Sequence, residues 1–154
     1  MTDFAQSSIV TLLPGEGKAV PGPEGVILKA SSRETAGAIG LFEAVSQPGF
    51  GPPRHIHDTA DEWFYIVEGQ MQFLVGDRTF ECGRGGLVFI PRGTVHAPKV
   101  LSELPARVLC GFVPGGNELA FEEFSRLGPE AMANGAVIEE IAKRYASRFV
   151  GPPL

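Results

Sequence analysis

Only three histidines, two cysteines and one tryptophan occur among the 154 residues, and no apolar run exceeds about six. The short apolar runs fall far below the roughly 18 residues needed to span a bilayer, which excludes a transmembrane helix. Thirteen basic against 18 acidic residues give a net charge of −5, so there is no Lys/Arg stripe to neutralise phosphates, and a nucleic-acid partner is excluded. Cys82 and Cys110 are too few for a disulfide scaffold in a chain of this length and read as reduced thiols, which points to the cytoplasm. The opening Met1-Thr2-Asp3-Phe4 is acidic and no apolar core segment follows it, so no signal peptide is expected. A hydrophobic content of 44% and a charged content of 20% argue against disorder.

What is plentiful is turn chemistry. Twenty glycines and 13 prolines punctuate the chain, and many tight turns imply many short strands. Between them lie β-like runs at Val26–Lys29, Ala38–Val45, Glu62–Val67, Met71–Val75, Arg78–Cys82, Leu87–Ile90, His96–Leu101 and Arg107–Val113. Starts about 7–11 residues apart through the middle of the chain predict an all-β sandwich or barrel. Glu68-Gly69-Gln70 and Gly76-Asp77 read as hairpin turns. Three segments follow: an N-terminal arm over 1–25 with an edge strand near Ser8–Leu13, a barrel over 26–115, and a helical extension over 116–154. In the last, Leu119, Phe121, Phe124 and Leu127 keep helical spacing until Gly128-Pro129. Val137, Ile138, Ile141, Ala142 and Tyr145 form a second apolar stripe.

All three histidines fall into one pattern. In His55-Ile56-His57 a strand would place both rings on one face, about 6.5–7 Å apart along it. Glu62 follows at the start of the most apolar strand, and His96 comes after the Pro91-Arg92-Gly93 corner. Three imidazoles and one carboxylate make a mixed N/O donor set for a divalent transition ion: Fe, Mn, Co, Ni, Cu or Zn. No cysteine joins the cluster, which disfavours a structural zinc or iron–sulfur site. Four protein ligands on an octahedral ion would leave two adjacent positions, for a substrate and a small molecule such as dioxygen. Alternation from Glu62 turns Phe64 and Ile66 inward, and alternation from His96 turns Pro98 and Val100 inward. Met71, Phe73 and either Val108, Cys110 and Phe112 or Leu109 and Val113 would complete an apolar, small-molecule pocket.

Gly49-x5-His55-x-His57-x4-Glu62-x6-Gly69 resembles the first cupin motif, and Gly85-x5-Pro91-x-Gly93-x2-His96 the second. Nine positions are fixed over about fifty residues, with fifteen residues between Gly69 and Gly85, the short spacing of small single-domain bacterial cupins. Val100 stands where the second motif usually ends in Asn, a residue that is not a ligand in the family. The resemblance implies a double-stranded β-helix (jelly-roll) barrel, a homodimer, and His55, His57, Glu62 and His96 as metal ligands. Pro52-Pro53, the Asp61–Tyr65 run and the tail Gly151-Pro152-Pro153-Leu154 further resemble quercetin 2,3-dioxygenase-type monocupins.

That likeness implies a dioxygenase acting on a small aromatic or enolisable hydroxy-ketone, with Glu62 both as a ligand and as the base for the substrate's hydroxyl proton. A Lewis-acid cyclase or isomerase of polyketide type and a non-catalytic small-molecule-binding module remain as alternatives.

Overall fold

Side-chain alternation decides the architecture. In Asp61–Glu68, Glu62, Phe64 and Ile66 are buried (4%, 6% and 0% exposed), while the residues between them face outward. A strand with one buried and one open face needs a second sheet across its inner side, and a computed structural model, describing residues 7–22 and 24–154, supplies it.

The elements in order are β1 (Lys18–Val20), β2 (Val26–Ala30), β3 (Gly40–Ser46), β4 (Arg54–His57), β5 (Asp61–Glu68), β6 (Gln70–Val75), β7 (Arg78–Gly83), β8 (Leu87–Ile90), β9 (His96–Val100) and β10 (Ala106–Val113). A 3-10 turn at Asn117–Leu119 follows, then α1 (Ala120–Phe124), α2 (Pro129–Met132), α3 (Gly135–Arg144) and β11 (Ser147–Gly151). Two antiparallel sheets, ordered β1-β2-β3-β10-β5-β8 and β11-β4-β9-β6-β7, face each other as a jelly roll. Phe42, Phe64, Ile66, Met71, Phe73 and Val108 form the heart of the core between them.

The turns follow the residue chemistry. Val75 pairs with Arg78 across Gly76-Asp77, with Gly76 at φ 62°. At Gly69 (φ 91°) any Cβ would come within 2.9 Å of Ala106, so the β5–β6 hairpin closes only over a glycine.

Three sequence expectations are corrected. Ser8–Leu13 forms no strand: a turn at Leu13–Glu16 isolates it, and one backbone bond, Ser8 N to Glu34 O at 2.8 Å, ties it down. The edge strand is β1 instead, where Lys18–Val20 finds Val26–Leu28 to pair with. The first six residues of the expected arm, and Pro23, lie outside the described residues.

The run Leu119–Leu127 stops being α-helical at Phe124, and Gly128-Pro129 opens α2 rather than ending α1, with proline at the helix start where its missing N–H is harmless. The extension is also not purely helical. After α3, capped by Asn134 and burying Ile141 and Ala142, the chain returns as β11 along β4. No helix among the described residues is long and apolar enough to cross a membrane.

Candidate metal centre and its cavity

The centre bridges the two sheets. His55 and His57 lie on β4 and His96 on β9, all in the five-stranded sheet, while Glu62 projects from β5 in the six-stranded one. Antiparallel pairing sets His55 opposite His96, and their ring centroids are 4.2 Å apart. His57 lies 4.9 Å from His55 and 5.3 Å from His96. The corner before β9 is anchored twice. Gly93 N donates to His57 O at 2.8 Å, and Asp61 accepts from Arg92 N, Nε and Nη2 at 2.9, 3.0 and 3.0 Å. Arg92 holds the Asp61 carboxyl down to about 2.

Each imidazole is held through Nδ1. His55 Nδ1 meets Pro53 O at 2.8 Å, and His96 Nδ1 meets Thr94 O at 3.0 Å. A carbonyl only accepts, so both Nδ1 atoms carry hydrogen and Nε2 is the ring nitrogen turned toward the centre. His57 Nδ1 lies 2.8 Å from Ser147 Oγ and 3.0 Å from Asn117 Nδ2, while Asn117 also donates to Tyr145 O at 2.8 Å and Ser147 Oγ at 2.9 Å.

On the inner side, Glu62 Oε2 accepts from His96 Nε2 at 2.8 Å and from His57 Nε2 at 3.1 Å. Burial alone would raise the Glu62 carboxyl, but the charge and hydrogen bonds of His57 and His96 hold it well below the carboxylate range. Burial likewise works against a cationic His96, and Glu62 outweighs it, raising that ring. With no such partner, His55 is pushed down to about 3 by burial, then by His96 and His57.

The four sequence-identified residues therefore converge, each offering a donor atom within 4.8 Å of the others. Donors about 2.0–2.2 Å from one ion lie at most about 4.4 Å apart, so a slight contraction seats a divalent ion. The nitrogen-rich set with one carboxylate and preset Nε2 faces fits such an ion.

Beside the centre lies a cavity of about 810 Å³, within the usual range for small-molecule sites. Of the residues expected in its wall, Phe64, Met71, Cys110 and Phe112 line it. Ile66, Phe73 and Val100 do not. They are 0–2% exposed in the core, where Phe73 packs edge-on to Phe64 at 5.3 Å. Alternation gave their face correctly but not how far the open space extends along it. The register Val108–Cys110–Phe112 faces inward, and Leu109 and Val113 do not. Burial, then Glu62 and Glu24, push the Cys110 thiol well up, and Cys82 is also free.

Sequence reading missed Asn117 and Ser147, which lie 60 and 90 residues from His57 and belong to no local motif. It also missed the cavity's upper wall, where Phe121, Phe124 and Ile138 come from the extension.

The family model for the cupin domain matches residues 42–112, the stretch carrying all four donors. Residues 42–112 form a cupin domain. The chain is 31% identical over 74 residues to an uncharacterized protein of Methanocaldococcus jannaschii, covering 48% of this chain and 59% of that one. It is 27% identical over 89 residues to the tetracenomycin polyketide synthase protein TcmJ of Streptomyces glaucescens, covering 58% of each. The matches thus span under two thirds of these relatives' length. KdgF from Halomonas sp. shares the fold at a TM-score of 0.61 and 17% identity, covering 74% of this chain and 99% of that one.

Proposed function

We propose that this cupin is a metal-dependent dioxygenase of quercetin 2,3-dioxygenase type, acting on a flat aromatic or enolisable hydroxy-ketone. One observation carries the reading: a three-imidazole, one-carboxylate cluster beside a cavity of about 810 Å³ walled mainly by apolar residues, phenylalanine most often. A divalent ion held by His55, His57, Glu62 and His96 would supply Lewis acidity toward a substrate oxygen and a path for electrons between substrate and dioxygen.

The chain's own residues do the rest. Glu62 is the carboxylate of the centre and reaches the cavity, where an incoming hydroxyl can pass it a proton. Phe64, Met71 and Phe112 offer apolar surface for aromatic rings, and the roof of Phe121, Phe124 and Ile138 keeps bulk water from the reacting atoms.

Metal analysis of anaerobically purified protein, coupled to oxygen uptake against flavonols, diketones and catechols, tests the reading. Oxygen consumption with a hydroxy-ketone supports it, and metal-loaded protein that consumes none with any of the three classes overturns it. The similarity to TcmJ favours a second reading, a Lewis-acid cyclase on a polyketide. It predicts conversion of a polyketide substrate without oxygen uptake.

A further inference from the structure

We propose that Glu24 is a second polar anchor of the cavity, hydrogen-bonding a substrate oxygen other than those at the metal centre and so selecting polyhydroxylated aromatics. This rests on the dioxygenase reading and adds to it the feature that distinguishes one aromatic from another.

Glu24 sits in the turn between β1 and β2, outside both motifs. The turn is tied to the end of β3: Val45 N donates to Gly25 O at 3.3 Å, and Ser46 Oγ donates to Glu24 O at 3.5 Å. The turn is pressed so closely there that a Cβ on Gly25 (φ 57°) would lie 2.7 Å from Val45 O. Glu24, half-buried, lines the cavity together with Val26, Phe42, Ala44 and Val108.

Among the described residues, the side-chain hydrogen bond at Glu24 engages its backbone carbonyl, and none engages its carboxyl group. Nor does any salt bridge among the described residues neutralise it. An apolar wall gains nothing in stability from an unpartnered carboxyl, whereas a ligand site needs a few such groups to fix orientation.

The electrostatics agree with the placement. Burial, and then the charge of Glu62, push the Glu24 carboxyl up to about 7, and the Cys110 thiol in the barrel wall feels both carboxylates. Near neutrality Glu24 can therefore donate to a carbonyl or accept from a phenol. A ligand whose one end meets the centre can present a second oxygen to Glu24, which lines the same cavity.

The test uses the full chain loaded with Zn(II) under argon, and two probes. Quercetin carries hydroxyls far from its 3-hydroxy-4-keto edge, and 3-hydroxyflavone lacks them. Dissociation constants are measured by calorimetry for the parent, Glu24→Leu and Glu24→Gln, with melting curves to establish folding. The expected result is tighter binding of quercetin than of 3-hydroxyflavone by about tenfold, the worth of one hydrogen bond.

Glu24→Leu should lose that preference with 3-hydroxyflavone binding unchanged, and Glu24→Gln, which keeps donor and acceptor, should retain most of it. A parent without the preference, or a Glu24→Leu variant that keeps it, overturns the role of Glu24 alone. If neither probe binds the parent, the flavonol reading and the Glu24 role fall together.

Discussion

Ser147→Ala removes a hydroxyl outside the donor set and still should weaken metal binding strongly. An imidazole that offers Nε2 to an ion must carry its hydrogen on Nδ1, and that N–H needs an acceptor. Around His57 Nδ1 stand Ser147 Oγ at 2.8 Å and Asn117 Nδ2 at 3.0 Å. The Asn117 amide must present its nitrogen here, because its partner at 2.8 Å is the Tyr145 carbonyl, which only accepts. Ser147 is thus the one of the two that can accept from His57.

With alanine at 147, the metal-binding tautomer would turn its Nδ1 hydrogen toward the Asn117 N–H donor, and the metal-free arrangement, with hydrogen on Nε2 toward Glu62, becomes harder to leave. An unsatisfied buried donor costs about 1–3 kcal/mol, in keeping with the roughly 10–100-fold losses caused by removing such supporting partners.

Chelator competition with Co(II) or Zn(II) measures the affinity directly, and melting curves check it. At a metal concentration about a hundredfold above the parent Kd, binding stabilises the parent by about 2.7 kcal/mol. A thirtyfold weaker variant retains roughly 0.9 kcal/mol, so the metal-induced rise in Tm should be smaller by about 4–7 °C for a chain of this size. Ser147→Thr, which keeps the hydroxyl, should bind nearly as the parent does. A Ser147→Ala affinity within twofold of the parent would refute the tautomer argument.

Glu62→Gln keeps shape but loses the charge. It should retain bound metal through the three imidazoles and lose substrate turnover, read by metal analysis beside oxygen uptake, and unchanged turnover removes Glu62 as the base. Phe112→Ala deletes a ring that is 2% exposed, stacked on Phe42 at 5.6 Å and edge-on to His57 at 4.9 Å. Urea unfolding should show a loss of about 3 kcal/mol, the low end for such truncations because the ring already borders open space.

In chelator, stability should fall as pH drops from 6.5 toward 3. His55 stays neutral in the fold down to about 3, so below its ordinary 6.5 the unfolded chain binds the extra proton. Glu62, held below its ordinary 4.5, adds to the loss at the acid end. His96 acts oppositely, since its pairing stabilises below 6.5 and is lost as pH rises through its raised folded value. Urea titrations across pH should therefore flatten in His55→Gln, and an unflattened profile would contradict the assignment.

The metal donors were legible in the sequence because their geometry is local. The two-residue repeat of a strand puts His55 and His57 on one face, and the short Pro91–Gly93 corner fixes where His96 begins. The same periodicity gave the inward faces of β5 and β10. Depth along a face is a different quantity, set by which side chains from the opposite sheet fill the space. Phe73, expected in the cavity wall, instead packs edge-on to Phe64 in the core, and Ile66 and Val100 are buried with it. Ser8–Leu13 failed for a related reason: a strand exists only where an edge accepts it, and the available edge of β2 is taken by Lys18–Val20.

What the sequence hid most completely is the part of the centre that closes through the C-terminal extension. β11 runs along β4 so that Ser147 lies opposite His57 and Phe149 opposite His55. The 3-10 turn brings Asn117 to the same Nδ1 atom, beside Ser147, and α1 and α3 supply Phe121, Phe124 and Ile138 to the cavity wall. None of these residues carries a motif, because serine, asparagine and phenylalanine do many structural jobs and only their arrival beside His57 gives them this one. Two motifs thus suffice to assemble the donors, while the hydrogen bonds that set His57 and the roof over the cavity depend on residues 117–149. A chain ending after β10 would keep all four donors and lose both.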